Sequence, residues 1–483
     1  MRMRSVDFRV WYATCSSYIC LYLANIFVKI TENTTLPVTI HAIRVLGAEH
    51  TRHSFLDCLF KPLLSENTDT EYTLKEALQA AGTAADKLRK FDIYHDNISL
   101  FVDRPDPSDP TTSPTDIDIY IAAKERGRIA LKTGTDLGNT EGSAYGNLLL
   151  RNLFGGAESL SVNASAGTRT RSSYTATFDT PLLSNPDLRL SVDAFASSTQ
   201  KPWASHEEVL KGANARFRWL ASNGAAHEMK YTGAWRQITA LAANASPSVR
   251  KDAGDSVKSS ITHTYALSRL NHPFLPTSGY AMKSVSEIAG FGLGGDVSFW
   301  KSEMETSGAI GLPLPGKSAE DSGVSLTAGL RAGAIYPLGG KATRINDRFQ
   351  LGGPTDVRGF TMGGLGPRDG PDALGGDVFA AGSINLLMPF PRCSAETPLR
   401  FQLFANGGRL LGLRRKEGES ATSAFYRTIG NLGDGLPSTS VGFGIVYAHP
   451  VARFEVNFGV PLVKRQGEEA RKGVQFGVGI NFM

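Results

Sequence analysis

From about residue 128 onward the chain repeats one pattern that few folds accommodate. Segments of about ten residues alternate apolar with polar side chains, and turn residues separate them. Successive side chains of a strand point to opposite faces. Val474, Phe476, Val478, Ile480 and Phe482 therefore share a face, opposite Gln475, Gly477, Gly479 and Asn481. Ala452, Phe454, Val456, Phe458 and Val460 oppose Arg453, Glu455, Asn457 and Gly459. Leu399, Phe401, Leu403 and Ala405 oppose Arg400, Gln402, Phe404 and Asn406. The same holds for Val324, Leu326, Ala328, Leu330 and Ala332 against Ser325, Thr327, Gly329, Arg331 and Gly333, and for Ala213, Ala215, Phe217 and Trp219 against Asn214, Arg216 and Arg218. A face of Arg, Glu, Gln and Asn needs water, whereas the greasy face suits lipid. Closing the sheet pairs every backbone N–H and C=O, which lipid demands. The pattern predicts an all-β transmembrane barrel over 128–483, with about sixteen antiparallel strands.

Composition agrees once this averaging is allowed for. The mean hydropathy of −0.16 would suggest a soluble chain, but lumen-facing and lipid-facing residues cancel in a membrane barrel. The 51 glycines in 483 residues exceed the average usage of about 7% and suit tight turns. The net charge of +5 is mild. No dense Lys/Arg cluster with interleaved aromatics points to nucleic acid. Cys15, Cys20, Cys58 and Cys393 are scattered, with no Cys-x-x-Cys pair and no histidine cluster. Neither a metal site, a cofactor nor a disulfide framework is expected, and reducing surroundings suit the chain.

Ahead of the barrel, residues 36–124 read as a small α+β domain. Val38, Ile40, Ile43 and Val45 form a β-rich run. Phe55, Leu59 and Leu63 then mark a helical face that is expected to end near Pro62. Thr73 and Glu76 have the spacing of a capping box, and Leu74, Ala77, Leu78, Ala81, Ala85 and Leu88 lie along one face of the helix that follows. Ile93, Ile98, Leu100 and Val102 suggest a strand; prolines 105, 107, 110 and 114 break the chain; Ile117, Ile119 and Ile121 form a last strand. Residues 1–35 are an N-terminal extension in which 10–28 carries no charge, a pattern open to a signal anchor, a signal peptide, one membrane helix or a buried segment.

Two connections in the barrel region are long, and such loops are usually functional or disordered. Residues 411–437 carry Arg414, Arg415, Lys416, Glu417 and Glu419, the composition of a mobile outer loop. Residues 338–375 are glycine-rich around Gly352-Gly353-Pro354-Thr355-Asp356-Val357-Arg358-Gly359-Phe360. An arginine on a loop so tight and stiff needs a polar, enclosed destination, which a wet lumen supplies. The run Val357-Arg358-Gly359-Phe360 resembles the loop signature of the outer-membrane assembly-factor superfamily, whose barrels insert other barrels into membranes. That superfamily carries Phe-x-Asp-x-Gly on the opposite wall; this chain has Phe404-Ala405-Asn406-Gly407-Gly408. The resemblance implies that Arg358 docks at Phe404, Asn406 and Gly408. Asn406 replaces the family's acid: its amide can still accept from the guanidinium without a charge-assisted pair, or another acceptor such as a backbone carbonyl or Glu455 substitutes.

The last strand, 475–482, fits polar-x-Gly-x-x-hydrophobic-x-hydrophobic, with Gln475, Gly477, Ile480 and Phe482 at the named positions and Gly479 between. It resembles the signal that mitochondrial barrel precursors carry on their final strand. The β-α-α-β-β order of 36–124 resembles one polypeptide-transport-associated repeat. One repeat followed by a barrel is similar to the mitochondrial branch of the superfamily, the core barrel subunits of the sorting and assembly machinery. This resemblance implies a mitochondrial outer-membrane protein that folds β-barrel precursors into the lipid bilayer, alongside accessory subunits of a sorting and assembly complex. The gate would lie between the first strand, near Leu131, and the last, and no catalytic group is required. Rival readings are a passive barrel pore, a rim hydrolase and a soluble chaperone. The hydrolase lacks a nucleophile motif such as Gly-x-Ser-x-Gly.

Overall fold

The computed structural model describes residues 34–69, 72–105, 110, 112–138, 141–316, 318, 322–339, 342–390, 397–450 and 452–479. The uncharged segment 10–28 and the signal positions Ile480 and Phe482 lie outside the described residues. The chain divides into two compact units. One comprises Met1–Ile129, Leu150–Ser159 and Thr180–Pro186; the other comprises Ala130–Leu149, Leu160–Asp179 and Asp187–Met483.

In the first unit a four-stranded sheet has the order Tyr72–Thr73, Pro37–Leu46, Asp116–Ala122, Ser99–Asp103, with the central pair parallel. Two helices, His53–Asp69 and Leu74–Lys90, cover it. The second starts on the expected reciprocal cap: Thr73 Oγ1 accepts from Glu76 N–H, and the Glu76 carboxylate accepts from Thr73 N–H at 2.9 Å. Ala77, Ala81, Ala84, Ala85 and Leu88 bury its apolar stripe against Ile117, Ile119 and Ile121. The first helix differs from the sequence expectation, because it runs through Pro62 to Asp69. Phe55, Leu56, Leu59 and Phe60 are buried before the proline and Leu63 packs beyond it, so tertiary burial outweighs the lost backbone bond. The strand expected from Ile93 begins only at Ser99; Ile93 and Ile98 enter the core from the turn before it.

The second fold element is a single sheet of sixteen strands. They are β1 (Ile129–Gly138), β2 (Glu141–Arg151), β3 (Ser159–Gly167), β4 (Thr170–Leu182), β5 (Asn185–Lys201), β6 (His206–Leu220), β7 (Ala226–Thr239) and β8 (Gly254–Ser268). Then follow β9 (Gly279–Ala289), β10 (Phe299–Gly311), β11 (Ser325–Pro337), β12 (Val378–Pro389), β13 (Leu399–Leu411), β14 (Ser438–Ala448), β15 (Arg453–Val463) and β16 (Gly473–Gly479). Each is hydrogen-bonded to its neighbour in sequence, and the order runs from β16 to β1. The sheet is the barrel that the alternation predicts. Phe454 and Val456 are exposed while Arg453, Glu455 and Asn457 are buried; Leu403 is exposed while Gln402, Phe404 and Asn406 are buried. A polar face more buried than the apolar one is the inverse of a water-soluble sheet. Among the described residues no helix is long and apolar enough to cross a membrane; the strands cross instead.

The connection between β11 and β12 folds inward. Phe349, Leu351, Val357, Phe360 and Leu365 from it pack with Phe299, Ile335, Phe379 and Leu410 of the wall in one buried cluster. A short hairpin, Arg368–Asp369 with Asp372–Ala373, lies within it. The loop between β13 and β14 corrects an expectation. It holds a helix, Ala421–Gly430, capped by Ser420 accepting from Ser423 N–H at 3.1 Å. Phe425 of this helix meets the Tyr336 ring edge-on at 5.2 Å, and Arg427 pairs with Glu419 at 2.7 Å. Its buried stripe, Ala424, Phe425 and Thr428, is too short to stand out in a Ser/Thr-rich stretch.

Candidate functional site

The inward residues of β12 to β16 form a polar wall, and the tip of the 338–375 loop lies on it. Arg358 has no solvent exposure. Its fork meets the Glu455 carboxylate of β15: Nη2 lies 3.0 Å from Oε2 and Nε donates to the same oxygen at 3.1 Å. Nη1 donates to Asn385 Oδ1 of β12 at 3.3 Å, and the guanidinium lies 5.0 Å from the centre of the Phe404 ring. A fork held by a carboxylate, an amide oxygen and an aromatic face satisfies a buried arginine in charge and geometry.

Glu455 serves two cations. Arg453, two residues away on the same face, approaches it at 2.5 Å, and Asn457 Nδ2 donates to it at 2.6 Å. Arg453 also donates to Gln402 Oε1 and to the Phe274 carbonyl, both at 3.1 Å. Gln402 in turn donates to Asn385 Oδ1 at 3.0 Å. Oriented amide and carbonyl oxygens join Glu455 in sharing the positive charge of the two arginines. Such a network is costly when only partly satisfied.

Asn406 stands at the expected wall position but grips the backbone rather than the guanidinium. In the amide orientation that satisfies both its ends, its oxygen accepts from Arg358 N–H at 2.9 Å and its nitrogen donates to Ser440 Oγ at 2.6 Å and to the Arg358 carbonyl at 3.3 Å. Ser440 Oγ donates to the same carbonyl. An aspartate could only accept, whereas Asn406 both gives and takes; the carboxylate that meets the guanidinium comes from β15. Gly408 leaves room for the loop: a Cβ there would stand 2.8 Å from Leu351 Cδ2 and 3.3 Å from Val357 Cγ2.

Val357 and Phe360 are fully buried in the lumen cluster. Between them Gly359 has φ +83°, and a Cβ would meet Ser440 Cβ at 2.8 Å. Just before the tip, Asp356 pairs with Arg331 of β11 at 2.7 Å and accepts from Gly352 N–H at 2.8 Å. At the root of the loop Asp347 receives two bonds from Arg236 of β7, at 2.6 and 3.2 Å.

Of the last-strand residues, Gln475 belongs to this site. Its Oε1 accepts from Gly359 N–H at 2.8 Å and its Nε2 donates to the Phe360 carbonyl at 3.1 Å. Gly477 pairs with Glu455 and Gly479 with Arg453 in the β15–β16 ladder. Leu131 lies elsewhere, facing outward on β1. Ser440, Asn385, Arg453 and Asn457 were not singled out by sequence, although their inward parity on successive strands was the available signal.

Comparison with known proteins identifies the family. Residues 152–482 match the Omp85 superfamily domain. A SAM50-like protein of Schizosaccharomyces pombe is 40% identical over 457 residues, covering 94% of this chain and 93% of its own length. The human sorting and assembly machinery component 50 homolog is 34% identical over 418 residues, 85% of this chain and 84% of its own. In fold, the chain is similar to BamA from Haemophilus ducreyi lacking POTRA domains 1–3, with a TM-score of 0.72 at 17% identity over 92% of this chain and 84% of that one. This chain belongs to the Omp85 superfamily, among the relatives of sorting and assembly machinery component 50.

Proposed function

We propose that this chain inserts and folds β-barrel precursor proteins into the mitochondrial outer membrane, as the core barrel of a sorting and assembly complex with accessory subunits. Its kinship with proteins named as sorting and assembly components supports the role. One observation carries the mechanism. Among the described residues the sheet order ends at β1 and β16, so these two strands flank the seam.

The seam between β1 and β16 opens sideways, and the edge of β1 offers unpaired backbone groups to the terminal strand of a precursor. Main-chain pairing supplies affinity, while the alternating side chains set the register. The precursor grows strand by strand and buds into the bilayer. The inward loop braces the wall beside the seam and fills the lumen, which favours this role over that of a passive pore. The process needs strand pairing and lateral release, and no covalent step.

A disulfide between cysteines placed at Leu131 and Val478, in a chain freed of its native cysteines, tests this. Precursor insertion should stop under oxidising conditions and return on reduction, with the barrel folded throughout. Normal insertion through a cross-linked seam would refute lateral opening.

A further inference from the structure

We infer that the backbone of Gly359 and Phe360 reads one side chain of an incoming terminal strand, the polar residue at the position that Gln475 holds in this chain's own last strand. The inference rests on the proposed barrel-inserting role and adds a specificity element to it.

Gln475 is only 7% exposed, and both ends of its amide are engaged by the loop tip. A carboxamide supplies the acceptor for Gly359 N–H and the donor for the Phe360 carbonyl together. A carboxylate supplies only the first, an ammonium only the second, an aliphatic side chain neither. Backbone pairing just ahead of Gln475 reinforces the contact. Arg471 N–H donates to the Gly359 carbonyl at 2.9 Å, Thr361 N–H to the Glu469 carbonyl at 3.1 Å, and Glu469 N–H to the Gly364 carbonyl at 2.8 Å. Phe360 and Ala470 form an antiparallel bridge. The loop tip thus acts as a short sheet edge along which the approach to β16 is threaded.

Among the described residues β16 is paired in the sheet with β15, and the loop tip holds its Gln475 from the lumen side. A strand of the same pattern, arriving as β16 departs, finds the Gly359 donor and the Phe360 acceptor vacated. Because this chain is itself a β-barrel, its terminal sequence shows how such a strand looks when seated, and that sequence is the natural probe.

The test uses the purified full-length chain in detergent micelles, with a photoreactive residue at Met362 or, separately, at Leu131. Met362 borders an open cleft with Thr361 and Glu469, so a larger side chain has room there. The probe is a tagged synthetic peptide of residues 473–483, alongside its Gln475→Glu and Gln475→Leu versions. Capture at 362 should fall in the order Gln, Glu, Leu, with about a 5-fold or greater loss from Gln to Leu, the size expected for two buried hydrogen bonds. Capture at 131 should differ by less than about 2-fold, since main-chain pairing does not depend on that side chain.

Equal capture of the Gln and Leu peptides at 362, with both captured at 131, overturns the reader and leaves strand templating intact. Absence of capture at both positions removes templating and the reader together. In a protein carrying Gln475→Leu the internal competitor is lost, so capture of the wild-type peptide at 362 should rise by about 3-fold. Unchanged capture by that folded variant counts against the inference. If Gln475→Leu does not fold, Gln475→Glu, which keeps the Gly359 bond, should show a smaller rise in the same direction.

Discussion

Arg358 and Glu455 lie 97 residues apart in sequence, yet their charged groups meet at 3.0 Å with neither side chain exposed to solvent. The pair exists because β15 alternates: Arg453, Glu455 and Asn457 all face inward on one strand. The carboxylate is thereby fixed by sheet register rather than by a loop, and it sits between two guanidinium groups. Burying such a pair contributes little net stability, but removing one partner is expensive because the remaining charge is left dry.

Glu455→Gln should therefore destabilise the barrel by about 3–5 kcal/mol. Arg358→Met added to it should cost less than the sum of the two single changes, with a coupling of about 1–3 kcal/mol. The check is the denaturant midpoint of the purified barrel, followed by its electrophoretic heat shift. Additive behaviour would mean the two groups do not interact in solution.

Asn406→Asp restores the acid of the superfamily pattern, and the geometry predicts that it weakens the site. The new carboxylate can accept from Arg358 N–H, but it faces the Arg358 carbonyl and Ser440 Oγ without a proton to give. The loss should be about 1–3 kcal/mol of loop seating, comparable to Asn406→Ala. Limited trypsin cleavage after Arg358 and Arg368 should accelerate in both variants. Slower cleavage in Asn406→Asp than in the parent would contradict the backbone-clasp assignment.

The barrel was legible because a two-residue period persists through segment after segment, and strand count follows from the turns. Arg358 was legible because a lone cation in a glycine-rich loop needs an enclosed acceptor. Glu455 could be named only as one of several acceptors, since its meeting with Arg358 depends on strand register and loop path together. The two amide clasps could not be read at all. Whether Asn406 or Gln475 meets a guanidinium, another side chain or a backbone N–H depends on ångström-scale placement of the loop. The helix Ala421–Gly430 and the continuation of the first helix past Pro62 were missed for a related reason: packing against distant residues decided them, not the local pattern.

At the root of the loop, Asp347 gathers cations from three wall strands. Arg236 of β7 donates twice, Lys258 of β8 lies 3.5 Å away, and Lys301 of β10 donates to the Asp347 carbonyl at 2.8 Å. Asp347→Ala leaves Arg236, 4% exposed in its side chain, without its carboxylate. The expected cost is about 3–5 kcal/mol. Because the tip contacts are untouched, trypsin should cut first near Arg344 and Arg348, before Arg358. Simultaneous cutting at all three would indicate that root and tip release as one unit.

Two glycines separate steric fit from backbone preference. Gly359 and Gly370 both have positive φ, +83° and +58°. A Cβ at Gly370 would meet nothing within 4 Å, whereas at Gly359 it would meet Ser440 Cβ at 2.8 Å and Oγ at 2.9 Å. Gly370→Ala should cost only the left-handed penalty of about 1–2 kcal/mol and keep the tip seated. Gly359→Ala carries the same penalty and also pushes the tip off β14, which pulls Gly359 N–H from Gln475 and Arg358 from Asn406. Precursor insertion into isolated membranes should be near normal for Gly370→Ala and fall by about 10-fold or more for Gly359→Ala, as loss of several coupled buried hydrogen bonds implies. Adding Ser440→Gly removes the clash but not the strain or the lost hydroxyl bond, so it should restore insertion only in part. Full activity of Gly359→Ala alone would mean that the tip need not sit against the wall for the chain to work.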